Sequence, residues 1–318
     1  MKYFYFDINC LSLYRAELMG FAIIWVILYH SGFAEPIPFV SYISSLYRGG
    51  FGGVDIFMML SGFGLSFSMS KKKSLKAFYL SRVARIYPIY FILVFVGCLL
   101  NSSDGILTVL WKCTAFGYWT NGDYFDWYVP AILTMYALFP LIYRYVTKKN
   151  LVIGIMLFFS AFSIMHVFLP FSFLDWQHFL LVYRIPIFLY GSMLACSIIN
   201  GNKMEYYLPI SIVLLFIGFF FIFTFHLFSY SITISFATPF IVAVLCKIFS
   251  VVKFNFLSVI GKASLEIYVI HMIILQNKYY LLLKEDNCNI STLLLLFVSV
   301  FGGILVSLCY EKIRSRVF

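Results

Sequence analysis

The sequence predicts an all-α protein, a polytopic transmembrane helical bundle with about ten spans and both termini in the cytoplasm. The first observation is composition: of 318 residues, 63% are hydrophobic and 11% are charged, and the mean hydropathy is +0.95. A soluble globular domain has roughly 25% charged residues. A soluble chain of this length has no means of hiding so much apolar surface, so the composition excludes a soluble enzyme, a disordered chain and a disulfide-rich secreted module.

The second observation is a series of ten apolar segments, each separated from the next by polar residues. A membrane-spanning helix needs about 20 mostly apolar residues. The predicted spans are residues 16–34, 49–69, 86–101, 127–146, 151–170, 180–199, 207–226, 229–249, 256–276 and 291–310. No other segment resembles a soluble domain and no internal repeat is visible, so we expect one transmembrane domain over residues 1–318.

The third observation is the distribution of charge, because every even-numbered span is followed by a basic segment. Clear examples are residues 71–85 after the second span, 144–149 after the fourth and 312–316 after the tenth. Cytoplasmic loops carry an excess of Lys and Arg, which places these segments and both termini in the cytoplasm. The same rule accounts for the net charge of +10. With no soluble basic domain, we expect a lipid bilayer as the partner and no nucleic acid.

The seven cysteines are scattered and never form a C-x-x-C pair. Cysteines in this arrangement are typical of small apolar filling residues, and they indicate neither a disulfide framework nor a metal site. We therefore expect no metal.

Ionisable residues inside a span are candidates for function, since each costs at least about 2.5–3.5 kcal/mol to insert. Arg15 and His30 mark the two ends of the first span. Fifteen residues at about 1.5 Å each separate them by roughly 22 Å, and about 100° per residue places them within roughly 60° of one helix face. The alternative is that Arg15 is a positive-inside anchor and His30 an interfacial residue.

Four further charged residues stand at span boundaries. Asp55 enters the second span directly after a glycine-rich segment, Gly49–Gly53. Arg82 and Arg85 share a helix face at the cytoplasmic boundary, where two guanidinium groups suit phosphate, although ordinary positive-inside charge is the alternative. Arg184 begins the sixth span on the outer side, against the charge trend, so we expect a carboxylate partner such as Asp55 or Asp175.

The ninth span carries Glu266, Tyr268 and His271. Tyr268 and His271 are three residues apart and share a face, whereas Glu266 and His271 do not. Glu266 is expected nearer the cytoplasm and His271 in the outer half of the span.

Six segments together resemble the acyltransferase 3 family of bacterial integral membrane acyltransferases. The segments are Val26–His30, Gly53–Phe63, Arg82–Pro88, Trp127–Tyr128 with Tyr136–Pro140, Arg184–Phe188 with Gly191, and Gly261–His271. The family usually places a basic residue eleven positions before the first-span histidine. Here that position is Met19, and the basic role is assigned to Arg15, one helical turn earlier on the same face.

The resemblance implies transfer of an acyl group, most often acetyl, from cytoplasmic acyl-CoA to an acceptor on the outer side, often a cell-surface glycan. It implies a bacterial inner membrane protein that uses acetyl-CoA as donor substrate, with no bound cofactor. Arg15, Arg82 and Arg85 would bind the CoA phosphates. His30 would be the general base and Asp55 would orient it. Residues expected to support the site or face the acceptor are Ser61, Trp127, Arg184, Glu266, Tyr268 and His271.

The acceptor expected from these features is a hydroxyl of a surface polysaccharide, such as O-antigen or capsule, or of its lipid-linked precursor. The main alternative is a transporter or flippase of a glycan or lipid intermediate, which predicts paired halves with interrupted helices in corresponding positions. A glycan polymerase is a third possibility, and it predicts a larger outer loop than the sequence contains.

Overall fold

The structure is a computed structural model that describes residues 6–31, 49–71, 74–101, 105–120, 126–146, 148–168, 180–201, 207–225, 231–286 and 288–317. Across these residues the chain is helical and has no β-strand, as predicted. The helices are α1 (Cys10–Leu13), α2 (Arg15–Ser31), α3 (Gly52–Lys71), α4 (Leu75–Asn101), α5 (Ile106–Cys113), α6 (Gly117–Thr120), α7 (Tyr128–Val146), α8 (Lys149–Phe168), α9 (Ile185–Ile199), α10 (Tyr207–Phe225), α11 (Ser231–Val251), α12 (Asn255–Lys262), α13 (Ser264–Leu275), α14 (Lys278–Asp286) and α15 (Cys288–Val317).

Eight helical segments in the described part of the chain are long and apolar enough to cross a membrane. They correspond to the predicted spans 2–8 and 10. The segments are Gly49–Lys71, Leu75–Leu100, Tyr128–Val146, Lys149–Phe168, Leu180–Ile199, Tyr207–Thr224, Ile232–Val251 and Asn289–Ser315. The first predicted span corresponds to α2, which has 17 residues. The total of ten and the orientation of the termini stay predictions.

The ninth predicted span is broken rather than continuous. Helices α12 and α13 meet at an angle of 71°, because Ala263 leaves the helical conformation between them. Close packing holds α12 at this angle: Gly20 of α2 lies against the backbone of Leu257, and Gly261 lies against the backbone of Ala16. A methyl group on either glycine would overlap the facing backbone.

The third span begins earlier than predicted, since α4 starts at Leu75 and contains Pro88 in its interior. Lys76, Arg82 and Arg85, which resemble part of a loop in the sequence, lie on the first three turns of this helix. Those turns are anchored by Phe78, which is fully buried and stacks on Phe139 of α7 with 6.3 Å between ring centroids.

Helix α2 lies at the centre of the bundle. Leu18, Ala22, Ile23, Val26 and Ile27 are each at most 1% exposed. The helix contacts α3, α12, α13 and α15, so protein rather than lipid surrounds it. A central helix of this kind fixes the relative positions of its two ends, Arg15 and His30.

Helices α3 and α9 cross in close contact. Gly62 of α3 lies against the backbone of Phe188, and Gly191 of α9 lies against the backbone of Met59. Small residues at a crossing allow two helix backbones to approach, which is the usual basis of tight packing in membranes. This contact places Asp55 of α3 next to Arg184, the residue that precedes α9.

Candidate active site

Two adjoining cavities, of about 210 and 490 Å³, lie at the end of the bundle where α2 begins. Both are lined by Arg15, Arg82, Arg85 and Lys262, and we call the combined space the basic cavity. The other residues that both parts share are Met19, Ser61 and Tyr136. The structure therefore brings together the three arginines that were predicted to bind acyl-CoA; that role stays a prediction.

Arg82 is held by aromatic rings. Its guanidinium carbon lies 5.8 Å from the ring centre of Phe78 and 6.0 Å from that of Tyr136. Its Nε is buried and makes no hydrogen bond with a described residue. A guanidinium group with a buried, unsatisfied donor is prepared to bind an anion.

Arg15 crosses from the start of α2 to α3, where its guanidinium group lies against Gly64. A side chain at position 64 would occupy the space that the guanidinium group fills. Met19, the family's usual basic position, lines the same cavity as Arg15. Arg15 therefore delivers positive charge to the space that a basic residue at position 19 would reach.

Basic side chains outnumber carboxylates around the basic cavity. Besides the four shared basic residues, Arg314 lines the smaller part; the carboxylates are Glu266 and Glu311 in the smaller part and Glu17 in the larger. Lys262 and Arg314 were not predicted as site residues, because in the sequence they appear only as part of the general excess of cytoplasmic charge. The only signal for Lys262 was its place within the Gly261–His271 segment.

His30 lies at the opposite end of α2 and is oriented by its own helix. Its Nδ1 is 3.0 Å from the carbonyl oxygen of Val26. A carbonyl oxygen only accepts hydrogen bonds, so in the neutral ring Nδ1 carries the proton and Nε2 is the unprotonated nitrogen. Nε2 is therefore the nitrogen able to take a proton. From α14, Lys284 donates to the carbonyl oxygen of His30 at 3.3 Å.

A second histidine, His271, packs directly on His30, with 5.3 Å between the ring centroids. His271 is fully buried, and neither of its ring nitrogens makes a hydrogen bond with a described residue. Its other face packs on Tyr268 at 5.1 Å. As predicted, Tyr268 and His271 share a face, and Glu266, unlike His271, lines the basic cavity.

The structure corrects the predicted pairing of Asp55 with His30. Asp55 is fully buried, and its Oδ1 lies 3.6 Å from Nε of Arg184 and accepts a hydrogen bond from Ser235 at 2.5 Å. The physical reason is that a cation stabilises a buried carboxylate more strongly than a neutral imidazole can. The carbonyl oxygen of Val26 makes the contact with His30 that was assigned to Asp55.

Arg184 has the carboxylate partner that its position predicted. Asp55 fills that role, whereas Asp175, the other candidate, lies outside the described residues. Arg184 also donates from Nη1 to the carbonyl oxygen of Leu180 at 2.8 Å, and its guanidinium carbon lies 4.8 Å from the ring centre of Trp127. Trp127 and Arg184 thus belong to a closed polar cluster with Asp55.

Three of the remaining residues that were predicted to support the site lie apart from the Asp55–Arg184 cluster. Ser61, Glu266 and Tyr268 line the basic cavity, and their supporting or acceptor-facing roles stay predictions. Within the described ranges, no three His, Cys, Asp or Glu side chains come together as metal ligands.

Comparison with known proteins identifies the family to which this chain belongs. The sequence pattern of the acyltransferase 3 family, described as an acyltransferase domain, matches residues 18–312. A protein of Acidianus two-tailed virus named "Putative acetyltransferase ORF330" is 26% identical over 204 residues, which cover 60% of this chain and 58% of the viral protein. The chain thus matches just over half the length of that relative. No solved structure matches. The family match spans nearly the whole bundle, from α2 to α15, and the chain belongs to the acyltransferase 3 family.

Proposed function

We propose that this protein is a membrane O-acetyltransferase of the bacterial inner membrane. It moves an acetyl group from cytoplasmic acetyl-CoA to a hydroxyl of a surface polysaccharide, such as O-antigen or capsule, or of its lipid-linked precursor. The observation that carries the proposal is the arrangement along α2. A basic cavity surrounds Arg15 at one end, and an oriented histidine, His30, stands at the other.

The donor binds with its phosphates in the basic cavity. CoA carries several phosphate charges, and guanidinium groups bind phosphate oxygens in pairs. Arg15, Arg82 and Arg85 line both parts of the cavity and provide these contacts, with Lys262 as a fourth cation. The pantetheine arm then extends along α2 toward His30, over a helix length of roughly 22 Å.

The reaction needs one base and one activated acyl group. Nε2 of His30 takes the proton from the acceptor hydroxyl, and the oxygen attacks the thioester carbon. The carbon–sulfur bond breaks, and the proton passes to the sulfur, so the products are an acetyl ester and free CoA. The thioester is already activated, so neither a metal nor ATP takes part. If the acetyl group first transfers to the protein, Nε2 is also the nitrogen that accepts it.

The acceptor side is supported by more general features. The family match and the name of the viral relative support acyl transfer. A polysaccharide or lipid-linked sugar presents many hydroxyl groups at the membrane surface.

The experiment is mass spectrometry of the surface polysaccharide from a strain that lacks the gene, complemented with wild type or with His30→Gln. Wild type should add the mass of one acetyl group per modified repeat. His30→Gln should lower acetylation by about 10²–10⁴-fold, the usual contribution of a general base. His166→Gln is the matched control, since His166 is a buried histidine on α8 that bonds Tyr183 instead.

A glycan of normal length with unchanged acylation in the deletion strain would contradict the proposed acceptor. A lost or shortened glycan would favour transport or polymerisation. Full activity of His30→Gln would remove His30 from the mechanism.

A further inference from the structure

The basic cavity ends on three aromatic rings. Phe57, Tyr128 and Tyr268 are part of its lining, whereas neither His30 nor His271 is. The path from the arginines to His30 is therefore interrupted by side chains that come from three different helices, α3, α7 and α13. We call Phe57, Tyr128 and Tyr268 the aromatic partition.

The rings of the partition form a continuous series of tilted and edge-to-face contacts. The centroids of Phe57 and Tyr128 are 5.9 Å apart, and those of Tyr128 and Tyr268 are 5.2 Å apart. Beyond the partition, the series of ring contacts continues through His271 to His30, with centroid distances of 5.1 and 5.3 Å. Each step is within the range of direct ring contact, so the rings separate the cavity from the two histidines.

The partition is tightly packed. Phe57 is 5% exposed, Tyr128 is 9% exposed and Tyr268 is 4% exposed. Helix α13 cannot easily move the Tyr268 ring aside as a whole, because the backbone around Ile267 packs closely on Gly303 of α15. Space for a passing group must come mainly from rotation of the rings themselves.

We propose that the aromatic partition selects the acyl group of the donor by size. This inference rests on the proposed use of acetyl-CoA and adds the residues that select acetyl over longer acyl groups. The thiol end of the pantetheine arm, made of β-alanine and cysteamine, is thin and unbranched, and the acyl group leads it toward His30. An acetyl group needs a small displacement of Tyr128 and Tyr268, whereas each further methylene group requires a larger one. The partition therefore admits acetyl and excludes medium and long acyl chains.

The experiment compares kcat/KM for acetyl-, butyryl- and octanoyl-CoA on one preparation of each variant. The ratio between two donors cancels differences in the amount of folded protein. Wild type should prefer acetyl strongly. Tyr268→Ala and Tyr128→Ala should each raise the butyryl-to-acetyl ratio by about tenfold or more, the scale of discrimination that one or two methylene groups allow in a packed site.

Two controls separate size selection from general damage. Tyr268→Phe keeps the ring and should keep the wild-type ratio. Tyr145→Ala removes a half-exposed tyrosine from α7, the helix that carries Tyr128, and should also keep it. If Tyr268→Ala has no activity with any donor, Tyr128→Leu provides the same comparison with a smaller change of volume.

The outcomes distinguish the two proposals. A wild type that uses octanoyl-CoA as well as acetyl-CoA, or alanine variants whose ratios stay at the wild-type value, would overturn the partition and leave the acyltransferase intact. A wild type that consumes no acyl-CoA of any length would overturn the proposed function, and the partition with it.

Discussion

Two groups of charges lie inside this bundle, and their surroundings differ. Asp55 and Arg184 are at most 1% exposed, and each is the other's partner. Arg15, Arg82 and Arg85 line an open cavity where positive charge is in excess. A balanced, closed pair holds helices together, whereas an unbalanced, open group requires a ligand. An ionisable residue in a membrane span therefore indicates function most strongly when its charge is left uncompensated.

The largest effect should come from breaking the closed pair. Removing one partner of a buried ion pair costs about 3–5 kcal/mol, because the other charge stays buried and unpaired. Asp55→Ala should therefore lower the free energy of unfolding by that amount and lower the Tm of the purified protein in detergent. Arg85→Ala, in the open cavity, should change the free energy of unfolding by less than about 0.5 kcal/mol.

The double variant Asp55→Leu/Arg184→Leu sharpens this test. Replacing both partners by apolar residues should recover most of the lost stability. If the double variant folds and acetylates, Asp55 is structural. If it folds with a normal Tm and has no activity, Asp55 acts in the chemistry and the comparison fails.

The next largest effect should come from the open group. Charge-assisted hydrogen bonds contribute about 1.5–3 kcal/mol, so Arg85→Ala should raise KM for acetyl-CoA by about tenfold or more while kcat at saturation changes little. Lys76→Ala is the matched control, because Lys76 is an exposed cation on α4 that does not line the cavity. Steady-state kinetics in proteoliposomes measure KM and kcat for both variants.

Acetyl-dephospho-CoA, which lacks the ribose phosphate, identifies the arginine that binds this group. Wild type should use it poorly. The alanine variant of the arginine that binds this phosphate should use both donors equally. If Arg15→Ala, Arg82→Ala and Arg85→Ala all prefer acetyl-CoA over acetyl-dephospho-CoA as strongly as wild type does, the basic cavity does not bind that phosphate.

A smaller effect should follow from Gly64→Ala. The added methyl group would meet the guanidinium group of Arg15 and displace it, because a flexible side chain gives way more easily than a helix backbone. We expect a rise in KM of a few fold, about 1 kcal/mol or less, with no loss of folded protein. Gly154→Ala is the control, since the space beside Gly154 on α8 is open. Equal KM values for the two variants would show that Arg15 does not contact the donor.

The smallest effect should be that of salt. Attraction between solvent-exposed charges weakens over a Debye length of about 8 Å at physiological ionic strength. KM for acetyl-CoA should rise modestly with added salt, while the Tm contribution of Asp55 and Arg184 should not change. A KM that is independent of salt would indicate that the phosphates bind away from the open cavity mouth.

The sequence was sufficient to predict the helical class and the convergence of the arginines. Composition determines the first. For the second, the i, i+3 spacing places Arg82 and Arg85 together, and the resemblance to the family adds Arg15. The partner of Arg184 was also among the two predicted carboxylates. Each of these depends on local spacing or on a strong charge imbalance.

Other features depend on contacts between distant segments. No proline marks the bend at Ala263, which follows from the packing of α12 against α2. The choice of Arg184 over His30 as the partner of Asp55 depends on how α3 crosses α9. The aromatic partition joins Phe57, Tyr128 and Tyr268 from three helices, and no spacing in the sequence places them together.

The central claim is that the donor enters at the basic cavity and reacts at His30, on the other side of the bilayer. Sealed membrane vesicles of the two orientations, given labelled acetyl-CoA outside, test it most directly. Inside-out vesicles should transfer label to the enclosed acceptor and release CoA outside, and vesicles with His30→Gln should not. Equal transfer by right-side-out vesicles, or transfer that persists in His30→Gln, would contradict the account.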